Sequence, residues 1–573
     1  MRRTVTKIPK EFRAGPLTPL AVNPLFARWL ADRSALAGRL TLAVDPADPA
    51  LERAAGETER LDAGGRRGLA EALVATAEEL GAPRESLANA ARLAEPRALA
   101  VVTGQQPALA TGPAYTLYKA LQAVRWAREL ERRWARPVIP VFWLAGDDHD
   151  YGEASGAWVW TADRRGLRVR LATRRGWRKP VAWLPLEADA RLAVRTLSEA
   201  LAPLAHGGRV AALLEESLGA SRQMGDWFAR QLLALLGRQG LVLLDPMRPE
   251  LRRLAAPVVE RVLRRPEEVL EACRSGEEAV RRLGFEPALR SPEGQLPLFH
   301  LDASGARRVL RFSQGSFHER GGAWSGDAGR LLAELEAEPG RFSPSAALRP
   351  VVQDRLLPTV AYVAGPGEIA YMSQLAELYA FYGMRPPVLL PRRHVTFAGP
   401  EEREWLDGLG LDAERLWQAH DALDALVAEA VPRLRRAVSD WGARRAALER
   451  ELRASQRFLE QLAGQGVVRQ EAGAEAGWVG EWLERLDSRF RERLRQRFRS
   501  DFGEARRVAA ALFPQGLPQD RHYTVWSWLA RQGPEWLEEL LEAPLEPLHV
   551  LVLETPSAAT CGQGRLAAER GEE

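Results

Sequence analysis

The first 395 residues alternate between short, continuous apolar runs and stretches with helical spacing. Residues 98–103 (ALAVVT) form one apolar run, and residues 138–145 (VIPVFWLA) form the next. A continuous run of this kind is typical of a strand that is covered on both faces, as in a parallel sheet. The stretch between the two runs has the spacing of an amphipathic helix, carried by Leu117, Leu121, Val124 and Leu130. The pattern predicts a strand, a helix and a parallel strand, with Thr111 or Gly112 capping the helix.

The same alternation returns further along the chain. GLVLLDP at 240–246 precedes one helical stretch, and TVAYVA at 359–364 precedes another, which ends before PPVLLP. Residues 1–395 are therefore predicted to form an α/β core with a parallel, doubly wound sheet. The segments at about 153–238 and 265–345 contain few regular apolar runs, so they are predicted to be insertions in that core.

From residue 396 to about 510 the pattern changes to long helices without strand signals. A first helix carries an apolar seam with heptad-like spacing at Val427, Val431, Leu434, Val438, Trp441, Leu448, Leu452, Leu459 and Leu462. A second carries Leu483, Leu486, Phe490, Leu494 and Phe498. The two are predicted to pair as an antiparallel arm, and seam residues left uncovered would favour a homodimer. Residues 511–554 are predicted to return to the core, and 555–573 to be a disordered tail.

The composition narrows the class of protein. The net charge is only +4, from 80 basic and 76 acidic residues, which argues against a nucleic-acid partner. No apolar run is long enough to span a membrane, and the first residues do not resemble a signal peptide. Two cysteines, Cys273 and Cys561, cannot form a disulfide framework or a zinc cluster. These features predict a cytoplasmic protein without a polyanionic partner.

Three polar loops follow predicted strands, and ligands of open parallel sheets bind at the carboxyl ends of strands. The first loop, at 103–113, leads into a helix whose N-terminus favours an anion. Tyr115 and Lys119 share one face of that helix, and Lys119 is one of only four lysines in the chain. The candidate binding residues of this loop are Gly104, Gln105, Gln106, Thr111 and Gly112. Ordinary helix capping is the alternative interpretation.

The second and third loops carry the acidic candidates. Asp147, Asp148, His149 and Asp150 could bind Mg²⁺, could orient a substrate and transfer protons, or could cap a strand end. Because consecutive residues of an extended segment point in opposite directions, all four cannot line one pocket, and a dedicated metal site is the weakest of these readings. In the third loop, Gly365 and Gly367 would allow close approach of a ligand, and Glu368 could hold an amine or a hydroxyl. A tight turn is the alternative there.

Five quoted segments together closely resemble the BshC family, the bacillithiol biosynthesis cysteine-adding enzymes. They are VVTGQQPALATGPAYTLYKA, PVFWLAGDDHDYGEA, GLVLLDP, FSPSAALRPVVQDRLLPTVAYVAGPGEIAYMSQL and PPVLLPR. The resemblance implies a nucleotidyltransferase-like Rossmann core, an antiparallel coiled-coil arm used for dimerisation, and a ligase that joins L-cysteine to glucosaminyl malate. It also implies kinship with class I aminoacyl-tRNA synthetases, although their HIGH and KMSKS signatures are missing from this sequence. The resemblance implies ATP or ADP as the cofactor and leaves a requirement for Mg²⁺ open.

Amide formation from a carboxylate requires its activation, most simply as an adenylate or an acyl phosphate. We expect the first loop to cradle phosphate or carboxylate oxygens, with Lys119 stabilising the charge that develops on transfer. Asp148 and His149 are expected to orient the sugar amine and take its proton, while Arg349, Gln353 and the 365–368 loop shape the opposite wall. Two alternatives stay open: a nucleotide-binding regulatory or scaffold protein without turnover, and an RNA-binding relative of the synthetases.

Overall fold

The computed structural model describes residues 10–15, 17–58, 61–319, 324–465, 476–546 and 548–554. The chain divides into two compact units. The larger contains Phe12–Phe397 and Pro518–Val552, and the smaller contains Met1–Glu11, Ala398–Leu517 and Leu553–Glu573. The predicted tail at 555–573, with Cys561, lies outside the described residues.

A five-stranded sheet forms the centre of the larger unit. Its strands are β1 (Leu99–Gln105), β2 (Val138–Leu144), β3 (Val242–Leu244), β4 (Thr359–Ala364) and β5 (Val388–Pro391). The spatial order is β5-β4-β1-β2-β3, and every neighbouring pair is parallel. The predicted parallel sheet is thereby confirmed.

The sheet is buried on both faces, which explains its continuous apolar strands. Ala100 and Val102 of β1 point into one hydrophobic core, whereas Leu99 and Val101 point into a second core on the other face. Strand side chains alternate between faces, so a strand between two cores needs apolar residues at every position. The hydrophobic run 98–103 reflects this double burial.

The order of connections places a crevice beside β1. From β1 the chain continues to β2 and β3 on one side, and it then crosses to β4 and β5 on the other side. Such a switch in direction opens a gap at the carboxyl ends of the two strands that diverge from it. The loops after β1 and β4 are the predicted first and third loops, so the topology brings them together.

Helices cover the sheet. The ones that position the candidate site are α1 (Tyr115–Trp134), α2 (Arg349–Leu356) and α3 (Pro366–Met372). The longer remaining helices of this unit are Pro24–Ala31, Pro49–Glu57, Ala63–Glu79, Arg84–Arg92, Ala188–Leu201, Gly207–Gly219, Met224–Leu236, Pro249–Arg264, Pro266–Arg282 and Ala328–Ala337. The shorter ones are Tyr151–Ala154, Ala376–Phe381, Trp526–Gln532 and Trp536–Glu542.

The start of α1 differs from the prediction. Ala114 occupies the N-cap position and makes no capping side-chain hydrogen bond. Thr111 instead donates its hydroxyl hydrogen to the carbonyl of Ala110, in a turn where Ala110, Thr111 and Gly112 all have positive φ. The predicted cap at Thr111 or Gly112 is therefore wrong, because this left-handed turn separates both residues from the helix.

The segment predicted as a second insertion contains a regular element that its sequence pattern concealed. Five antiparallel strands lie in the order Ser325–Gly326, Ser316–Glu319, Arg307–Ser313, Gln295–Leu301 and Phe342–Pro344. Its buried side chains, such as Leu298 and Phe317, belong to the same hydrophobic core as one face of the central sheet. The strands were hard to predict because only part of each one is apolar.

The larger sheets are accompanied by two smaller ones. Gly156–Trp160 pairs with Gly166–Arg170 in an antiparallel hairpin. His549–Glu554 lies between Lys10–Ala14 and His394–Ala398 in a three-stranded sheet. The predicted strand near the end of the chain is thus present.

Most of the described residues of the smaller unit are helical. Its two longest helices are α4 (Pro432–Gly464) and α5 (Ala476–Arg497), accompanied by Pro400–Leu409, Ala413–Gln418, Leu423–Ala430 and Arg499–Leu512. Trp441 of α4 stacks on Phe490 of α5 with 4.8 Å between ring centroids, and its indole N–H donates to Asp487 at 2.8 Å. Part of the predicted seam is uncovered, namely Val438, Leu448 and Leu459. Within the described parts of both units, no helix is long and apolar enough to cross a membrane.

Candidate functional site

A cavity of about 590 Å³ opens at the carboxyl ends of β1, β2 and β4. The three predicted loops all contribute to its wall, as expected for ligand sites of open parallel sheets. Twelve of the sixteen predicted site residues line it: Gly104, Gln105, Gln106, Tyr115, Lys119, Asp147, Asp148, His149, Arg349, Gly365, Gly367 and Glu368.

The other four predicted residues do not line this cavity. Thr111 and Gly112 lie in the left-handed turn before α1. Asp150 caps the short helix that follows it, because its carboxylate accepts from the backbone N–H of Glu153 at 3.1 Å. Gln353 is buried behind the wall, where it accepts from Arg349 and donates to Asp354 at 2.9 Å each. The structure therefore places these four outside the cavity wall, and their binding roles stay predictions.

Lys119 links the first loop to the third. Its ammonium lies 2.5 Å from the carbonyl oxygen of Gly104, 2.6 Å from Glu368 and 3.4 Å from the side-chain oxygen of Gln105. The side chain is only 1% exposed. Burial lowers the pKa of Lys119, and the charge of Glu368 offsets part of that shift. Since all three ammonium hydrogens have acceptors, the lysine holds the ends of β1 and β4 together.

Glu368 is the acceptor at the centre of this link. Besides Lys119, its carboxylate accepts from the Tyr362 hydroxyl at 2.6 Å and from the backbone N–H of Gly365 at 2.8 Å. Burial alone would raise the pKa of Glu368, but Lys119 and these hydrogen bonds hold it below its usual value. The first turn of α3 is capped by this side chain, so Glu368 stabilises the turn as well as the ion pair.

Arg349 forms part of the opposite wall and has only neutral hydrogen-bond partners. It donates to Gln353 and to the Tyr371 hydroxyl at 2.9 Å each, and to Tyr362 at 3.4 Å. Among the residues that the structure describes, none forms an ion pair with Arg349. A partly buried guanidinium without a carboxylate partner, facing a cavity, is suited to bind an anionic ligand.

Asp147 is already engaged by protein groups. It accepts from the Ser343 hydroxyl at 2.9 Å and lies 3.6 Å from the guanidinium of Arg252. Ser343 belongs to the antiparallel sheet and Arg252 to helix Pro249–Arg264. Asp147 therefore connects the end of β2 to both of these elements, and its carboxylate is largely buried.

His149 and Asp148 face Arg307. The Arg307 guanidinium lies 3.1 Å from His149 Nδ1 and 3.5 Å from Asp148, and it stacks over Phe299 at 4.0 Å. Burial and the charge of Arg307 lower the pKa of His149, while Asp148 opposes part of the shift. Arginine can only donate, so we assign the neutral tautomer with the proton on Nε2. His149 can then donate a hydrogen bond into the cavity.

Glu153 is a cavity residue that the sequence pattern did not single out. Its carboxylate lies 3.4 Å from the Tyr115 hydroxyl and 3.5 Å from the amide nitrogen of Gln105. Burial, together with the nearby charges of Asp150 and Asp148, raises the pKa of Glu153. A carboxylate with a raised pKa beside a cavity is suited to accept a proton.

Comparison with known proteins gives two matches that together cover most of the chain. Residues 21–393 match "Bacillithiol biosynthesis BshC, N-terminal Rossmann-like domain", and residues 401–551 match "Bacillithiol biosynthesis BshC, C-terminal coiled-coil domain". The chain belongs to the BshC family. The predicted resemblance is confirmed, and so are the Rossmann-like and coiled-coil parts of the predicted fold.

Several BshC relatives carry the same name, "Putative cysteine ligase BshC". The relative from Symbiobacterium thermophilum is 33% identical over 502 residues, which cover 84% of this chain and 89% of the relative. The one from Geobacillus thermodenitrificans is 30% identical, with coverage of 85% and 90%. The one from Bacillus cereus strain B4264 is 27% identical, with coverage of 81% and 86%. The alternative of a regulatory scaffold without turnover is not favoured by these names.

The cavity of this BshC chain carries an excess of positive charge. Six cationic side chains line it, against four carboxylates, which leaves two more positive than negative charges. Four of these cations were missed by sequence analysis: Arg290, Arg307, Arg392 and Arg521. They come from the loop before the strand Gln295–Leu301, the antiparallel sheet, the residue after β5 and the segment near the end of the chain, and an arginine-rich composition gives no signal to select them. The positive charge of the cavity is therefore a property of the folded site and not of any local sequence pattern.

Proposed function

We propose that this chain is a cysteine ligase of bacillithiol biosynthesis, which joins L-cysteine to glucosaminyl malate by amide formation. The observation that carries the proposal is the charge distribution of the cavity in a BshC-family core. Glucosaminyl malate carries carboxylates and an amine, so its site must combine cations with proton acceptors. The wall with Arg349 supplies a cation, and the wall with Asp148, His149 and Glu153 supplies the proton acceptors.

Proton handling is assigned to the carboxylates rather than to the histidine. With Nδ1 accepting from Arg307, His149 donates through Nε2 and orients an oxygen of the substrate. The sugar amine must lose a proton as the amide forms, and Glu153 or the half-exposed Asp148 is placed to take it. The raised pKa of Glu153 favours Glu153. The sequence-based prediction gave this proton to Asp148 and His149 together, so the proposal keeps Asp148, adds Glu153 and gives His149 the orienting role.

Lys119 is proposed as a positioning residue. The ammonium of Lys119 already has three protein acceptors. The contacts therefore favour a structural link over direct stabilisation of charge on the transferred group. Holding Gly104 and Glu368 together fixes both loops around the reacting atoms. A lysine suits this place because its compact ammonium fits between two oxygens, whereas a planar guanidinium is larger.

ATP or ADP is the proposed nucleotide, on a nucleotidyltransferase-like core. The cavity of about 590 Å³ falls within the ~300–1,000 Å³ usual for small-molecule sites. At Gly367 no heavy atom lies within 4 Å of the position of an added Cβ, so the backbone there is open to a ligand. Arg349 and the Gly367 backbone would hold phosphate oxygens. When bound, ATP supplies the group that activates the cysteine carboxylate.

Mg²⁺ is proposed only as a companion of the nucleotide. Within the described ranges, no group of three or more His, Cys, Asp or Glu side chains could hold a metal ion. Mg²⁺ usually keeps several waters and is bound in large part by substrate phosphates. An ion that enters with ATP would therefore take most of its ligands from the phosphates and from water.

We also propose that α4 and α5 form an antiparallel arm that makes the protein a homodimer in the cytoplasm. Arg433 of α4 pairs with Asp501 in the helix Arg499–Leu512 that follows α5, whereas Trp441, further along α4, contacts the earlier residue Asp487 of α5. Contacts that advance along α4 and retreat along the two later helices support the antiparallel arrangement. Phe458 and Leu459 are 60% and 45% exposed, and covering such residues favours association.

The test of the function is to incubate the purified chain with ATP, L-cysteine and glucosaminyl malate. Amide product, measured by mass spectrometry, and nucleotide cleavage should rise together. Lys119→Arg should lose activity nearly as fully as Lys119→Ala, and His149→Ala should reduce it. Product without nucleotide cleavage would remove nucleotide activation but keep the biosynthetic role. If the chain forms no amide product at all, the proposed function is wrong.

A further inference from the structure

The segment Gln519–Thr524 reaches the crevice from near the end of the chain. The backbone carbonyl of Tyr523 accepts from the N–H of Ala114 at 2.8 Å, just before α1. The Thr524 hydroxyl donates at 2.8 Å to the carbonyl of Ala110, which belongs to the left-handed turn. The segment therefore holds the first loop from behind, although it is about 400 residues away in sequence.

Asp520 of this segment fixes Arg392. One carboxylate oxygen of Asp520 accepts from the Arg392 guanidinium at 2.6 Å, and the other lies 3.0 Å from Nδ1 of His394. The side chains of Arg392 and Asp520 are 3% and 0% exposed. The backbone N–H of Arg392 donates to the carbonyl of Ala364, the last residue of β4, at 2.7 Å. Arg392 is thus held at both ends, with its guanidinium 4.9 Å from the ring centre of Tyr115 in the cavity wall.

Arg521 stands next to this pair and also lines the cavity. It forms no ion pair with any residue in the described part of the chain. Both oxygens of the neighbouring Asp520 are already engaged by Arg392 and His394. Partial burial, and to a lesser extent the charge of Arg392, lower the pKa of Arg521. Arg392 and Arg521 carry two positive charges, and Asp520 supplies one negative charge. One positive charge therefore remains that a ligand can neutralise.

We propose that Arg392 and Arg521 form a subsite for an oxyanion of the substrate, a carboxylate or a phosphate, with Asp520 as a positioning residue. The inference rests on the proposed function, since it names which charged group of the reactants this end of the cavity takes. A planar guanidinium can give two parallel hydrogen bonds to a carboxylate or a phosphate. Two compounds offer this chemistry: the malyl carboxylates of glucosaminyl malate and the phosphates of ATP.

Direct binding measurements separate these two sources. Glucosaminyl malate and ATP are each titrated calorimetrically into the full chain, as wild type and as Arg521→Ala. The matched control is Arg385→Ala, which removes an exposed arginine whose partner is Glu57. Loss of a charge-assisted contact should weaken one ligand by roughly 10- to 100-fold. The other ligand, and both ligands with the control variant, should change by less than about twofold.

The identity of the weakened ligand assigns the subsite to the malyl group or to a phosphate. If Arg521→Ala leaves both affinities within about twofold of wild type, the proposal is wrong. An equal loss for both ligands would mean a general attraction of anions and would also overturn the subsite. Binding can be measured without turnover, so the two proposals can fail separately. If Arg521→Ala weakens one ligand selectively but the wild-type chain forms no amide, the proposed function is wrong and the subsite is retained.

Asp520→Asn tests the positioning role. It keeps the shape of the side chain and removes the charge that fixes Arg392, so it should raise KM for the same ligand that Arg521→Ala weakens. A merely structural role predicts instead a loss of kcat for all substrates without selectivity. Since Asp520 is fully buried and its variant could fail to fold, the Arg521→Ala titrations carry the test independently.

Discussion

Replacing Glu368 with glutamine isolates the charge of the buried pair with Lys119. The amide oxygen of the glutamine can take the position that accepts from Lys119 and Gly365. Its NH₂ group then faces the hydroxyl oxygen of Tyr362, which can accept by rotating its hydrogen. Shape and hydrogen bonds are therefore nearly preserved, and the lost negative charge is the main change.

The expected cost follows from the burial of the lysine. Lys119 is 1% exposed, so without Glu368 its ammonium is a buried charge with no carboxylate against it. Breaking a buried pair in this way typically costs about 3–5 kcal/mol. The protein can limit the cost by releasing the proton. From the ordinary lysine pKa of 10.5, deprotonation at pH 7 costs about 5 kcal/mol, at about 1.36 kcal/mol for each pKa unit.

The pH dependence gives the sharper test, because deprotonation becomes easier as the pH rises. At pH 9 the same relation limits the cost to about 2 kcal/mol. Urea unfolding of wild type and Glu368→Gln at both pH values, followed by circular dichroism, measures the difference in unfolding free energy. The control Glu57→Gln removes a half-exposed carboxylate paired with Arg385 and should cost under about 1 kcal/mol at either pH. A loss below about 1 kcal/mol at pH 7, or one that does not shrink at pH 9, would refute the reasoning.

Three further predictions concern packing, acid stability and assembly. Gly104→Ala should cost about 1–3 kcal/mol in thermal unfolding, because the new Cβ would lie 2.8 Å from a carbonyl oxygen on β2; Gly367→Ala, where the space is open, should change stability little. Burial lowers the pKa of His394 to about 4 from 6.5, so its neutral form stabilises the fold above pH 6.5. Roughly 3 kcal/mol should be lost as the pH falls toward 4, as measured by urea unfolding, and His394→Gln should remove that part of the dependence. Phe458→Glu should yield monomers in analytical ultracentrifugation, whereas Leu192→Glu, at an equally exposed leucine of the larger unit, should not; unchanged dimers with Phe458→Glu would contradict assembly through the arm.

The predictions that succeeded used local signals. Continuous apolar runs identified β1, β2 and β4, because a strand buried on both faces must be apolar at every position. The loops after these strands could then be selected by topology, and twelve of the sixteen candidate residues, most of them in these loops or the helix after the first, line the cavity. The four residues of DDHD do not all line the cavity, as predicted, but the pleat is not the reason: Asp147, Asp148 and His149 are consecutive and all line it, whereas Asp150 caps a helix.

The errors have physical causes that a sequence pattern does not contain. Thr111 and Gly112 have the composition of a helix cap, but the turn that contains them is held by distant residues: Thr524 donates to the carbonyl of Ala110, and the carbonyl of Tyr523 accepts from the N–H of Ala114. The role predicted for His149 stays a prediction, and it depends on which ring nitrogen is free, which the contact with Arg307 of the antiparallel sheet decides.

The sequence by itself determined the parallel sheet, the helical arm, the family and the three loops at the strand ends, since these follow from periodicity and from ordered motifs. Only the tertiary structure decided that Lys119 is paired with Glu368, that Arg349 lacks a carboxylate partner, and that Arg392 and Arg521 meet at one wall. Electrostatic partners are chosen by distance in space, and residues hundreds of positions apart give no local trace of their contact. The fold of the site could therefore be predicted from the chain, while its charge arrangement could not.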